Sequence, residues 1–214
     1  RFGAPGIQHG HNDVGEVILF VDNNPILVDV GVATYTADTF GPNRFKIWSM
    51  RSDWHSCPSP NSVLQHEGME YGSKDCSCTQ QDGIIRFSSD MANCYDRAAM
   101  CDRFKREIEL NGNPGNNLVI RDTYSVTQRI APDIEYFITP GNVKKHSETS
   151  LLIQSAETEI ILEWSNNLKA TIEEAEMPEE SLRKYWKNGL RRIALSSEAS
   201  APVQGVYEMK FYRK

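Results

Sequence analysis

Apolar residues in this 214-residue chain gather in short blocks rather than at helical spacing. Val17-Ile18-Leu19-Phe20-Val21 and Ile26-Leu27-Val28 flank Asp22-Asn23-Asn24-Pro25, which predicts two strands around a tight turn. Similar β-rich runs cover Gly83 to Phe87, Leu118 to Val126, Ile134 to Ile138, Leu151 to Gln154, Ile160 to Trp164 and Gly205 to Tyr212. Turn-forming clusters separate them at Asn111 to Asn117, at Pro140-Gly141-Asn142 and at Ser196 to Pro202. One stretch reads differently. Pro178, Glu179 and Glu180 open a short polar helix and Gly189 closes it. Many strands with regular punctuation predict an all-β fold, a two-sheet antiparallel β-sandwich with one helical excursion near 178–189. No linker or repeat interrupts the chain, so residues 1–214 read as one domain.

Composition narrows the function classes. The net charge is −6 and the isoelectric point near 5.4, which argues against binding phosphate backbones, and hence nucleic acid, by bulk charge. No apolar run approaches the roughly 20 residues a membrane helix requires, so no membrane partner is expected. No basic segment with a following apolar stretch opens the chain, and its start at Arg1 predicts a mature or truncated product. Its five cysteines include no C-x-x-C pair, so a thiolate zinc site is not expected.

Two of the five histidines stand in His9-Gly10-His11-Asn12-Asp13. On extended backbone His9, His11 and Asp13 project from one face, a compact set of zinc-compatible ligands. His55 is a further candidate, as is Asp29, a carboxylate inside the apolar run Pro25 to Val30. Parity tests the grouping. A two-residue loop at Asn23-Asn24 would pair Asp29 with Ile18, on the face opposite to His9 and His11. Joining them therefore demands a slip of one residue, through an odd loop or a bulge near Gly15. The alternative is that Asp29 caps a turn with Gly31 while His11 is a hydrogen-bonded surface residue. Glu16 after His9-x-His11 also matches the start of a cupin metal motif, although Asn23 replaces its glycine. Trp48 and Trp54 around Arg51, with Tyr35, would suit a carbohydrate-binding platform or a core. Arg97, Arg103 and Lys105 read as a solvated edge strand, and His66 and His146 as surface residues.

The ordered set His9-Gly10-His11-Asn12-Asp13-Val14-Gly15, Pro25 to Gly31, and Trp54-His55 followed by Asn61 to Gln65 resembles the heparinase II/III-like family, specifically its C-terminal β-sandwich. Arg103 to Asp122 and Phe137 to Pro140 extend the resemblance over most of the chain. The resemblance implies a polysaccharide lyase whose N-terminal helical toroid lies outside this sequence and whose substrate is an acidic, uronate-containing polysaccharide or oligosaccharide. It implies that His11, Asp29 and His55 hold a structural zinc or another divalent cation. His9 is implied to be catalytic and to face the cleft, with Tyr35 and Trp54 expected to bind substrate. A periplasmic or secreted location follows from the same likeness. Two positions depart from the family pattern: Ser56 stands where asparagine is usual, and Ser62 where glycine is usual. Cys57 beside His55 is a further candidate ligand.

Overall fold

A computed structural model describes residues 10–112, 117–165 and 167–214. The first strands among the described residues form a hairpin, β1 (Leu19–Val21) and β2 (Asn24–Leu27), and a run of single 3-10 turns follows. Next come β3 (Pro58–Ser59), β4 (Lys74–Gln81), β5 (Ile84–Asp90), β6 (Cys101–Asn111), β7 (Asn117–Val126) and β8 (Ile134–Thr139). After them lie β9 (Asn142–Ser147), β10 (Ser150–Ser155), β11 (Thr158–Trp164) and β12 (Leu168–Glu174). A helix, α1 (Glu180–Tyr185), precedes β13 (Arg191–Ser197) and β14 (Gln204–Arg213). The helical excursion falls where the sequence places it, with Gly189 at φ +76° behind it.

Besides the β1–β2 hairpin, two larger antiparallel sheets form among the described residues. The larger runs β4-β5-β6-β7-β14-β11-β10-β9 and the smaller β12-β13-β8-β3. Alternation builds the core: Tyr207, Met209 and Phe211 on β14 are buried, as are Phe104 on β6, Leu118 and Ile120 on β7, and Leu162 and Trp164 on β11. They meet Phe137 on β8 and Ile193 and Leu195 on β13. Phe137 packs edge-on against Phe211 at 5.3 Å between ring centroids, directly joining the two sheets. The fold is an all-β sandwich. Its large sheet extends past the cover of the small one, and every residue of β4 is exposed.

Two local expectations are corrected. The basic run around Arg103 and Lys105 is not an edge strand, because β6 lies between β5 and β7. Residues 10–18 are not a strand either. His11 and Asp13 sit in a loop, so no shared strand face groups them.

The slip demanded by parity does exist, but it lies away from Gly15. The turn is Asp22-Asn23, both at positive φ, and it pairs Val21 with Asn24 and Phe20 with Pro25. Register then shifts between Leu19 and Phe20, so Leu19 pairs with Leu27 and Ile26 is the extra residue. Gly15 has its own constraint. Its φ is +81°, and a Cβ there would lie 2.1 Å from the Met91 sulfur. Gly15→Ala is therefore expected to cost roughly 2–4 kcal/mol through left-handed backbone strain and overpacking. Urea denaturation measures this, and a shift inside experimental error would contradict it.

Candidate metal centre

Three chain segments meet at one end of the sandwich, and hydrogen bonds explain why. Ile138 on β8 makes two of them: its carbonyl accepts from Val28 N at 3.0 Å, and its N–H donates to Ser56 Oγ at 3.3 Å. Those contacts bring Asp29 and His55 alongside the same strand end. The third segment, residues 10–16, is laced to the His55 segment through Gln65. Asn12 Nδ2 donates to the Gln65 carbonyl at 2.9 Å, while the Gln65 side chain accepts from Val14 N and donates to Val14 O. Asn12 N also donates to Met50 O, and Arg44 donates twice to Gly10 O.

One ligand atom from each of His11, Asp29 and His55 then lies within 4.8 Å of the others. The two imidazole centroids are 5.1 Å apart. His11 Nδ1 and His55 Nε2 are both buried and have no hydrogen-bond partner. Orphaned buried nitrogens are costly unless something binds them. Two imidazoles and a carboxylate are borderline donors that suit zinc, and three protein ligands leave a fourth position. The residues present thus fit a divalent cation. Asp29 Oδ1 also accepts from Gly31 N at 2.7 Å, so the turn-capping alternative is realised together with the grouping.

Electrostatics around the cluster is uneven. Burial, reinforced by neighbouring His55, lowers the His11 pKa to about 4, so its ring is neutral and its lone pair available. For His55 burial pulls the same way, but the hydrogen bond and charge of Glu16 outweigh it and raise the pKa. Burial raises Glu16 in turn. Asp13 and Glu16 each offer an oxygen within 4.8 Å of Asp29, giving the site an acidic surround. Cys57 does not fit as a ligand. Its thiol is fully buried, pushed up by desolvation, and directed at the Val14 carbonyl.

His9 lies outside the described residues. Tyr35 is 54% exposed and stacks on Phe40. Trp54 is 7% exposed and lines a depression together with Trp48. Arg192 covers its ring at 4.5 Å and Trp48 meets it edge-on at 5.0 Å. Glu173, Glu176, Met177 and Pro178 complete the lining of that depression. His66 and His146 are exposed, as read. Ser62 has φ +60°, which explains why glycine suits that position.

Two residues escaped the sequence reading as parts of this centre. Glu16 had weight only as a cupin ligand, yet its Oε1 meets His55 Nδ1 at 3.0 Å. Arg106 lies beneath the site, fully buried, and donates to the carbonyls of Gly15 and Ser56 at 2.8 and 3.0 Å. Its signal was available, since Phe104, Arg106 and Ile108 share the inward face of β6.

The sequence matches the family described as "Heparinase II/III-like, C-terminal" over residues 1–185. No curated protein matches it. Among solved structures, the heparan sulfate lyase HepC from Pedobacter heparinus superposes with a TM-score of 0.76 at 11% identity, over 99% of this chain and 32% of that one. The "Heparinase III-BT4657 gene product" gives 0.75 at 14% identity, over 100% and 32%. A structure of heparinase III gives 0.71 at 13% identity, over 96% and 30%. At these identities the likeness concerns fold, and the chain spans about a third of those proteins. With a family match over most of its length, this chain belongs to the heparinase II/III-like C-terminal family.

Proposed function

We propose that this chain is the C-terminal β-sandwich of a polysaccharide lyase that cleaves a uronate-containing, glycosaminoglycan-like polysaccharide by β-elimination. In this reading His11, Asp29 and His55 hold a structural zinc or similar divalent cation. The observation that carries it is the pair of orphaned imidazole nitrogens, His11 Nδ1 and His55 Nε2, gathered with Asp29 in a chain of this family. The naming of one similar structure as a heparan sulfate lyase supports the substrate class. The match also weakens the cupin alternative, and the Glu16 carboxylate it would need as a ligand is engaged by His55.

Elimination removes the C5 proton of the uronate, forms a C4–C5 double bond and breaks the C4–O4 bond, with O4 taking up a proton. A base near neutrality and a group that offsets the uronate carboxylate are required. His9 is the base or its partner, two residues from His11, so the lacing of residues 10–16 would aim it at the cleft. Tyr35 contributes to the cleft wall on exposed surface. A bound cation would cross-link three loops and thereby fix that geometry. An N-terminal helical toroid supplies the opposite wall, so the isolated chain would bind substrate weakly and not turn it over. The location is periplasmic or secreted.

The test is an ultraviolet assay for unsaturated uronate product on the full-length protein, with heparan sulfate and an unsulfated uronate polymer as substrates. Product is expected from at least one, and His9→Ala should slow release about 10²–10⁴-fold, the range for a lost acid–base group. Saturated ends only, or unimpaired turnover by the His9 variant, would defeat the reading.

A further inference from the structure

An imidazole has two nitrogens, and in its neutral form one carries the proton while the other offers the lone pair. A buried histidine is a dependable metal ligand only when something decides which is which. At His55 the deciding contact is visible. Nδ1 faces Glu16 Oε1 at 3.0 Å, and the two side chains are 0% and 3% exposed. Water does not compete at this contact. Nε2 is left buried and unpartnered, available to join His11 and Asp29.

We propose that Glu16 is the positioning residue of the metal centre: by accepting a hydrogen bond from Nδ1–H of His55 it fixes the ring so that Nε2 is the ligand atom. The assignment rests on the metal reading above and adds to it a residue that does not touch the ion. The backbone around the pair supports it. Glu16 N donates to Asp13 O at 3.0 Å, closing the turn in which Gly15 takes its positive φ. One nitrogen of Arg106, Nη1, donates both to Gly15 O and to Ser56 O. A single buried group thus grips the peptide before Glu16 and the residue after His55, fixing the distance across which the contact forms. A carboxylate serving only as bulk negative charge would need no such registration.

The experiment uses zinc itself as the probe, titrated against a chromophoric chelator, with Glu16→Leu, Glu16→Gln and His11→Ala compared to the native protein. Glu16→Leu is expected to weaken zinc binding about 10–100-fold, the usual cost of losing such a partner. Glu16→Gln, whose amide oxygen can still accept a hydrogen bond from Nδ1–H, should recover most of that loss. Long-range proton–nitrogen spectra of the native, zinc-loaded protein supply a readout that a purely structural role would not move, and they require no variant to fold. They should show His55 protonated at Nδ1 and metal-bound at Nε2. Zinc on Nδ1, or native affinity in Glu16→Leu while His11→Ala is impaired, overturns the assignment alone. Absent zinc binding in the native protein, or native affinity in His11→Ala, overturns the metal reading and the assignment together.

Discussion

Arg106→Met is expected to lower the unfolding free energy by roughly 3–5 kcal/mol, the cost of removing one partner from a buried ionic cluster. Every donor of the guanidinium is used. Nε reaches Asp122, Nη2 reaches Asp122 at 2.6 Å and Glu135 at 2.7 Å, and Nη1 holds the two loop carbonyls. All three side chains are fully buried. Burial, followed by the charge of Asp122, raises Glu135 well above the usual carboxylate range. Methionine would leave a buried carboxylate without its counter-charge and two carbonyls without donors. Zinc affinity should fall in the same variant, because the segments bearing Glu16 and His55 lose their common tie. Urea denaturation and chelator competition read the two effects. A loss below about 1 kcal/mol, the size of an exposed pair's contribution, would show the cluster to be energetically idle.

The same cluster gives a pH dependence with a definite sign. The folded pKa of Glu135 lies above its unfolded value, so its contribution to stability is whole below the unfolded value and is lost as pH rises through the folded one. Glu135→Gln keeps an oxygen for Arg106 and removes that slope. It should therefore cost little compared with Arg106→Met and flatten stability above the ordinary carboxylate range, as read by urea denaturation across pH; an unchanged slope would contradict this.

Legibility in the sequence followed burial. Strands with a covered face, such as Asn117–Val126, Ile134–Thr139 and Gln204–Arg213, announced themselves through inward apolar residues. Lys74–Gln81 and Asn142–Ser147 did not, because their residues are nearly all solvent-facing and nothing selects for alternation there. Cys101–Asn111 was obscured for another reason: its inward stripe is interrupted by Arg106, whose partners Asp122 and Glu135 lie on other strands. Leu168–Glu174 and Arg191–Ser197 carry charged outer positions that masked a short inward stripe. At the candidate site, residue type made His11, Asp29 and His55 candidates and the family resemblance grouped them; the structure brings the three together. Glu16 was not, since its partner is 39 residues away and the contact depends on the turn at Gly15. The parity argument found the need for a slip but misplaced it, because it chose Gly15 on residue type alone, whereas the register shifts between Leu19 and Phe20.

His11→Ala should lower metal content and melting temperature together, and this pairing separates a ligand from a packing residue. A cation that binds only the folded chain adds about 2.7 kcal/mol when present at a hundred times its dissociation constant. For a chain of this size that amounts to about 5–10 °C in melting temperature. Removing the metal with a chelator should bring the native protein down by that amount and leave His11→Ala almost unmoved. The two should then melt close together, because His11 is only partly buried and its Nδ1 has no other partner to lose. A histidine that acted through packing would give the opposite pattern, with the same gap between native and variant whether or not metal is present. Full metal occupancy in His11→Ala, or a native protein indifferent to the chelator, would remove His11 from the ligand set.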